Sequence, residues 1–453
     1  MVLGLEISGY SGLVLEKLVS INAKIGDLVI IRYNGSEYSG ILMPRAQIGS
    51  DSNHIVIKLS SGYNIGIKLS SSSEVALLKR GKRKKKTVAD KPPEINSNLP
   101  NVSILSTGGT IASKVDYQTG AVNPALSAQD FYDTVPELRV HADVKAKVLM
   151  SALSENIHPT DWTRIAKAVA SEIRKGTDGI VIAHGTDTMA FTSAALSFAL
   201  QNLPVPVALV GSQRSSDRPS SDSAMNLIRA TDLVGRIDAA EVMVVMHGET
   251  DDSFAYAHRG TRVRKSHTSR RDAFQSPNFY PLFKITSSNF EEISLPLLRR
   301  DSKRKLKMKA SFEDRVGMIR THPGIKASLI ESLIESDYKG IVIEGSGLGH
   351  VPQVLQSAIK RAIDSEIIVA MTSQCISGRV DMNVYRTGVE LLEMGVLPCE
   401  DMLTETALVK LMWALANFKN IQDVRTMMLT PLVGEISMRS EMAQYTRIGR
   451  EKE

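Results

Sequence analysis

The sequence predicts a two-lobed α/β core built on parallel sheets, preceded by a small all-β, SH3-like barrel. Three observations carry that expectation. Residues 24–78 consist of short β-rich runs broken by Asn-Gly and Ser-Gly turn signals. A charged, proline-containing stretch without periodicity follows. From residue 101 apolar strands alternate with amphipathic helices, which is the pattern of a parallel sheet covered by helices.

In chain order, KIGDLVIIRYNGSEYSGILMPR and NHIVIKLSSGYNIGIKLSSSSEVALL supply four or five short strands, enough for a small barrel. GKRKKKTVADKPPEINSNLPN then reads as a linker. NVSIL, DGIVIAHGTD (178–187), VPVALVGSQ (205–213) and AEVMVVMHGE (240–249) are the buried strands of a first lobe, with TMAFTSAALSFALQNL as an intervening helix. RVGMIRTHPG, KGIVIEGSGLG and EIIVAMTSQ restart the pattern as a second lobe. The expected divisions are 1–80 for the β module, 81–100 for a basic linker, and 101–298 for the first lobe. A basic connector spans 299–313, and the second lobe 314–453.

Composition narrows the class. A chain of 453 residues exceeds one ordinary core, so several domains are expected. No apolar run approaches about 20 residues, and the first residues lack a basic region, so a cytoplasmic protein is expected. Cys375 and Cys399 show no metal-like spacing and read as reduced packing residues. The net charge of +6 is local. Residues 79–91 hold 8 Lys/Arg against one Asp, and 299–309 hold 7 against one. Setting those 15 bases and two acids aside leaves 40 basic against 47 acidic residues, so the bulk is mildly acidic. Such runs either neutralise phosphates or stand solvated in water.

In open α/β sheets ligands sit beyond the carboxyl ends of the strands. STGGTIASK (106–114) and AHGTDTM both occupy such ends, as do VGSQRSSDRPSSDS and EGSGLG. None fits a phosphate loop, which needs GxxxxGK[ST], and EGSGLGH is only a fragment of GxGxxG. Zinc clusters and a GxSxG elbow are absent from the sequence. What remains is hydroxyl chemistry at Thr110 and Thr186, each in a glycine-flanked turn, with Asp187 beside the second. A threonine hydroxyl needs a base to act as a nucleophile. Lys265, in RGTRVRKSHTSRRDAF, is the candidate. Making a free lysine neutral at pH 7 costs about 4.6 kcal/mol, and a neighbouring carboxylate opposes it. Lys265 is therefore expected to shuttle a proton while transiently neutral, oriented by Asp187. The bland alternatives are backbone caps for the threonines and a solvated basic face for Lys265. Thr107 is expected to hold the turn.

TGGTIAS followed by DGIVIAHGTDTM, VGSQRSSDRPSSDSAMNL, RVRKSHTSRRDAF and EGSGLGHVP resembles the bacterial-type L-asparaginase and glutaminase family over roughly residues 100–445. The resemblance implies an asparaginase-like fold and an acyl-enzyme amidohydrolase without metal or cofactor in this chain. It makes Thr110 the nucleophile, Tyr117 its loop partner, and Thr186, Asp187 and Lys265 the second catalytic group. Ser154 and Glu155 would grip the substrate's α-carboxylate and α-amino group. The added N-terminal module resembles the archaeal tRNA-dependent amidotransferase branch of the family. That implies L-glutamine as ammonia donor and a partner subunit of GatE type, which uses ATP and Mg²⁺ to amidate Glu-tRNA(Gln). A homodimer within a heterotetramer is the implied assembly. A stand-alone cytoplasmic L-asparaginase with an accessory domain is the alternative, since one methylene separates the substrates and a pocket discriminates that by only ~1–3 kcal/mol.

Overall fold

The computed structural model describes residues 9–33, 35–44, 52–60, 64–81, 99–108, 111, 113–115, 122–124, 131–132, 135–214 and 221–440. Within the N-terminal region five antiparallel strands are hydrogen-bonded in the order Asn64–Lys68, His54–Lys58, Ser36–Leu42, Leu28–Tyr33, Glu74–Lys79. A helix, Gly12–Ser20, precedes them and was not among the expected elements. It buries Val14 and Leu18 against Val29, Ile31, Leu42, Ile55 and Ile57, so it closes the open face of the sheet. The Tyr10 hydroxyl locks that closure by donating to the Met43 carbonyl at 2.7 Å and accepting from the Val56 N–H at 3.0 Å.

The first lobe carries an eight-stranded sheet. Its parallel half runs Asp143–Ala152, Asn101–Gly108, Gly179–Ala183, Val207–Val210, Val242–His247. Its other half is antiparallel, adding Ala255–Arg259, Phe283–Ile285 and Phe290–Glu292. The parallel sheet expected from the sequence is present up to His247 and continues beyond it with antiparallel strands. The segment between residues 247 and 255 is too short for a crossover helix, so the chain returns as a neighbouring hairpin strand.

Alternating residues of each parallel strand face opposite layers. Ile104, Val181 and Val245 pack with Leu227, Ala230 and Val234 of helix Ser223–Arg236. Leu105, Ile182 and Val244 pack on the other face with Ile165 and Leu196, from helices Pro159–Arg174 and Met189–Ala199.

The second lobe is a four-stranded parallel sheet in the order Val316–Arg320, Gly340–Gly345, Ile368–Ser373, Leu397–Pro398. Helix Met189–Ala199 is buried on nearly every side because helix Thr404–Asn417 of this lobe covers its outer face. Phe198 stacks on Trp413 there with ring centroids 5.7 Å apart. The expected connector is only partly solvated. Lys307–Met308 pairs with Leu200–Gln201, and the Arg304 guanidinium donates to the Leu203 carbonyl at 2.7 Å.

Candidate active site

The carboxyl end of strand Gly179–Ala183 leads into His184, Gly185, Thr186 and Asp187. His184 fixes this turn from inside. The Trp162 indole N–H donates to the Thr192 hydroxyl at 3.1 Å, and that hydroxyl lies 2.9 Å from His184 Nε2. Thr192 can then donate to Nε2, while Nδ1–H donates to the Gly185 carbonyl at 2.6 Å. Burial keeps the ring neutral by pushing its pKa down to about 4.

Gly185 lets the turn settle on Ser154. A Cβ at position 185 would stand 2.7 Å from the Ser154 Cβ, closer than carbon atoms approach. Thr188 completes the contact by donating its hydroxyl to the Ser154 carbonyl at 2.7 Å. Ser154 is buried at the start of a short 3₁₀ turn, Ser154–Asn156, and Glu155 beside it is exposed.

Lys265 reaches the same point from a two-residue hairpin, Arg264–Lys265 against Phe274–Gln275, with Lys265 opposite the buried Phe274. Its Nζ donates to Thr186 Oγ1 at 2.9 Å and to Asp187 Oδ1 at 2.7 Å. The lysine side chain is 15% exposed and that of Asp187 66%, so the carboxylate stands at the mouth and the ammonium behind it. The contact is one through which a proton can pass. The ammonium holds the threonine oxygen as an acceptor, and on giving up a proton Nζ becomes an acceptor for the hydroxyl.

Of the seven site residues expected from the sequence, Thr186, Asp187 and Lys265 are brought into direct contact. Ser154 joins them through Gly185 and Thr188, and Glu155 lies next along the chain. Thr110 and Tyr117 lie outside the described residues. Thr107, expected to hold the turn, lies within strand Asn101–Gly108 and donates to the Ala183 carbonyl of the neighbouring strand at 3.0 Å, while residues 109 and 110 lie outside the described residues. Among the described residues no group of three His, Cys, Asp or Glu side chains is placed to bind a metal ion.

Sequence reasoning missed the polar framework behind the site. The buried Asp222 carboxylate caps the loop after strand Val207–Val210 by accepting from the Gln213 and Arg214 N–H groups at 3.0 and 2.9 Å. Asn226 and His247 continue inward from it. The i, i+4 pair of Asp222 and Asn226 at a helix start was the one signal available for it.

This fold and this cluster define a body of the asparaginase type. The asparaginase N-terminal family matches residues 101–295, and the glutaminase/asparaginase C-terminal domain matches 315–428. The thermostable L-asparaginase from Thermococcus kodakarensis is 33% identical with a TM-score of 0.67, covering 75% of this chain and 100% of that one. L-asparaginase I from Vibrio cholerae is 30% identical with a TM-score of 0.66 over the same shares. What lies outside that body matches as well, because residues 23–78 fit the GatD N-terminal domain. The GatD subunit of the glutamyl-tRNA(Gln) amidotransferase of Pyrococcus furiosus is 50% identical over 91% of this chain and 95% of its own. That of Metallosphaera sedula is 46% identical over 97% and 99%. The chain belongs to the GatD family of glutamyl-tRNA(Gln) amidotransferase subunits, and its hydrolase body is asparaginase-like.

Proposed function

We propose that this chain hydrolyses L-glutamine and hands the ammonia to a GatE-type subunit that converts Glu-tRNA(Gln) to Gln-tRNA(Gln). The observation that carries the reading is the contact of Lys265 Nζ with both Thr186 Oγ1 and Asp187 Oδ1 at a strand carboxyl end. In this mechanism Thr110 attacks the side-chain amide carbonyl, assisted by Tyr117, and ammonia leaves with a proton supplied by the enzyme. Water then attacks the acyl-enzyme and glutamate departs. Thr186 and Lys265 move the proton in both halves, and Asp187 stabilises the ammonium between transfers. Ser154 and Glu155 hold the α-carboxylate and α-amino group. The chemistry of this chain needs no metal, while ATP and Mg²⁺ belong to the partner. We place the complex in the cytoplasm as a heterotetramer around a homodimer of this chain. No helix among the described residues is long and apolar enough to cross a membrane, which accords with that placement.

The test is to purify the chain alone and with its partner, and to compare glutamine and asparagine hydrolysis with and without Glu-tRNA(Gln). Glutamine turnover that rises with partner and charged tRNA, and disappears in Thr110→Val and Lys265→Ala, is the expected result. Full turnover in both variants sinks the assignment. Asparagine hydrolysis indifferent to partner and tRNA returns the stand-alone asparaginase.

A further inference from the structure

His247 lies at the end of strand Val242–His247 with a side chain 1% exposed, and it touches neither Thr186 nor Lys265 in any hydrogen bond. Its partners nevertheless lead toward both. On one side Nδ1 meets Asn226 Oδ1 at 2.5 Å. Asn226 directs its amide nitrogen to two acceptors, the Gly211 carbonyl and Asp222 Oδ2, both at 3.0 Å. That fixes the orientation of the amide, so Oδ1 is the acceptor facing the ring. Gly211 in turn abuts Thr186, since a Cβ on it would fall 2.8 Å from the Thr186 methyl and 2.8 Å from the His184 carbonyl. On the other side Nε2 meets Asp252 Oδ1 at 2.9 Å. The same oxygen accepts from Arg271 at 2.9 Å, and Arg271 belongs to the loop between Lys265 and Phe274.

Both ring nitrogens therefore face acceptor oxygens. Charged groups surround the ring. Asp252 and Asp251 come from the turn after the strand, Asp222 lies across Asn226, and Arg271 is the opposing cation. We propose that His247, bridging Asn226 and Asp252 through its two ring nitrogens, is a positioning residue that holds the Thr186 wall and the Lys265 hairpin at their working separation. The inference rests on the roles given above to Thr186 and Lys265.

Two measurements on the full chain test it. Ring-nitrogen NMR of ¹⁵N-histidine-labelled protein, with His247→Gln to assign the signal, should show both nitrogens hydrogen-bonded. A ring with one nitrogen free of a hydrogen bond overturns the proposal. In glutamine hydrolysis, His247→Gln should lower kcat about 10- to 100-fold with KM within about threefold, because a small misplacement of reacting groups costs that much. An unchanged kcat, or a loss carried by KM instead, overturns it. Should His247→Gln fail to fold, Asp252→Asn keeps the shape, withdraws the anion and carries the same expectations. Lys265→Ala separates the two claims. Retained turnover there refutes the assignment of the site itself, whereas its loss beside a fully active His247→Gln refutes only the bridge.

Discussion

Arg262 and Asp401 meet between the two lobes with side chains 0% and 2% exposed, NH1 lying 3.0 Å from Oδ2. The arginine's remaining donors are also used, Nε on the Gly434 carbonyl and NH2 on the Ser437 hydroxyl, each at 2.8 Å. Asp401 accepts in addition from the Ser437 N–H at 2.9 Å. Burial lowers the guanidinium's pKa, and the Asp401 charge opposes that fall. A buried pair so fully hydrogen-bonded is costly to break from one side, because the survivor keeps its desolvation penalty. Asp401→Asn is expected to destabilise the chain by about 3–5 kcal/mol, read from urea unfolding. Since Lys265 follows Arg262 by three residues, the fraction still folded should also lose glutamine turnover. A variant with wild-type stability would show that the clasp is incidental.

Acid should weaken the fold through two histidines. Burial pushes His184 down to about 4 and His258 down to about 3, against an ordinary value of 6.5. Between those limits the unfolded chain binds protons that the folded chain refuses, so stability is present above pH 6.5 and is lost as pH falls toward 4 and 3. The two rings contribute on the order of 3 and 5 kcal/mol respectively across that window. Urea midpoints measured from pH 7 to pH 4 should drop, and His184→Gln should flatten the curve. A midpoint independent of pH would contradict the neutral, buried state of both rings.

The contacts at the candidate site illustrate what a sequence makes legible. Thr186, Asp187 and Lys265 were readable because strand ends converge on one sheet edge, and because residue types at such turns are few. Their distance of 79 residues along the chain did not obscure them. The helix Gly12–Ser20 was not readable, since its apolar spacing is short and its partners lie in a sheet formed later in the chain. The antiparallel return after His247 was hidden for a related reason: alternation of strands predicts layers, whereas the direction of each return depends on loop length. His184 and His247 were invisible because their partners stand on other elements, Thr192 and Trp162 for the first and Asn226 and Asp252 for the second. Basic residues pose the same difficulty. A lysine or arginine facing water and one facing carbonyls are written with the same letters.

Gly185→Ala tests the close approach of the turn to Ser154. The added methyl would stand 2.7 Å from the Ser154 Cβ and 2.8 Å from its Oγ, so one of the two segments must move. Overpacking of this kind costs about 1–3 kcal/mol. The larger effect should be on substrate affinity, because Ser154 is the residue assigned to the α-carboxylate. A KM for glutamine raised about tenfold or more, with the fold retained by circular dichroism, is expected, that being the effect of losing roughly 1.4 kcal/mol of binding. Wild-type KM would remove Ser154 from the substrate's contacts.

The two basic segments are expected to differ in what they do. Arg300 is held against the protein, with Nε on the Ile237 carbonyl at 3.1 Å and NH2 on the Val234 carbonyl at 2.8 Å. Those carbonyls lie at the carboxyl end of helix Ser223–Arg236, where the backbone has unsatisfied acceptors and the helix dipole favours a cation. Arg304 likewise donates to a backbone carbonyl, that of Leu203 just beyond strand Leu200–Gln201. Arg300→Met should therefore cost stability, about 1–3 kcal/mol, and leave the salt dependence of tRNA binding by the assembled complex untouched. The lysines and arginine at 82–86 lie outside the described residues and carry the opposite expectation. Replacing them with glutamine should leave stability and free glutamine hydrolysis intact. It should reduce the salt slope of tRNA binding by roughly one for each phosphate no longer neutralised. An unchanged slope in that variant would assign the run to a solvated linker, and a slope altered by Arg300→Met would place the connector on the nucleic acid instead.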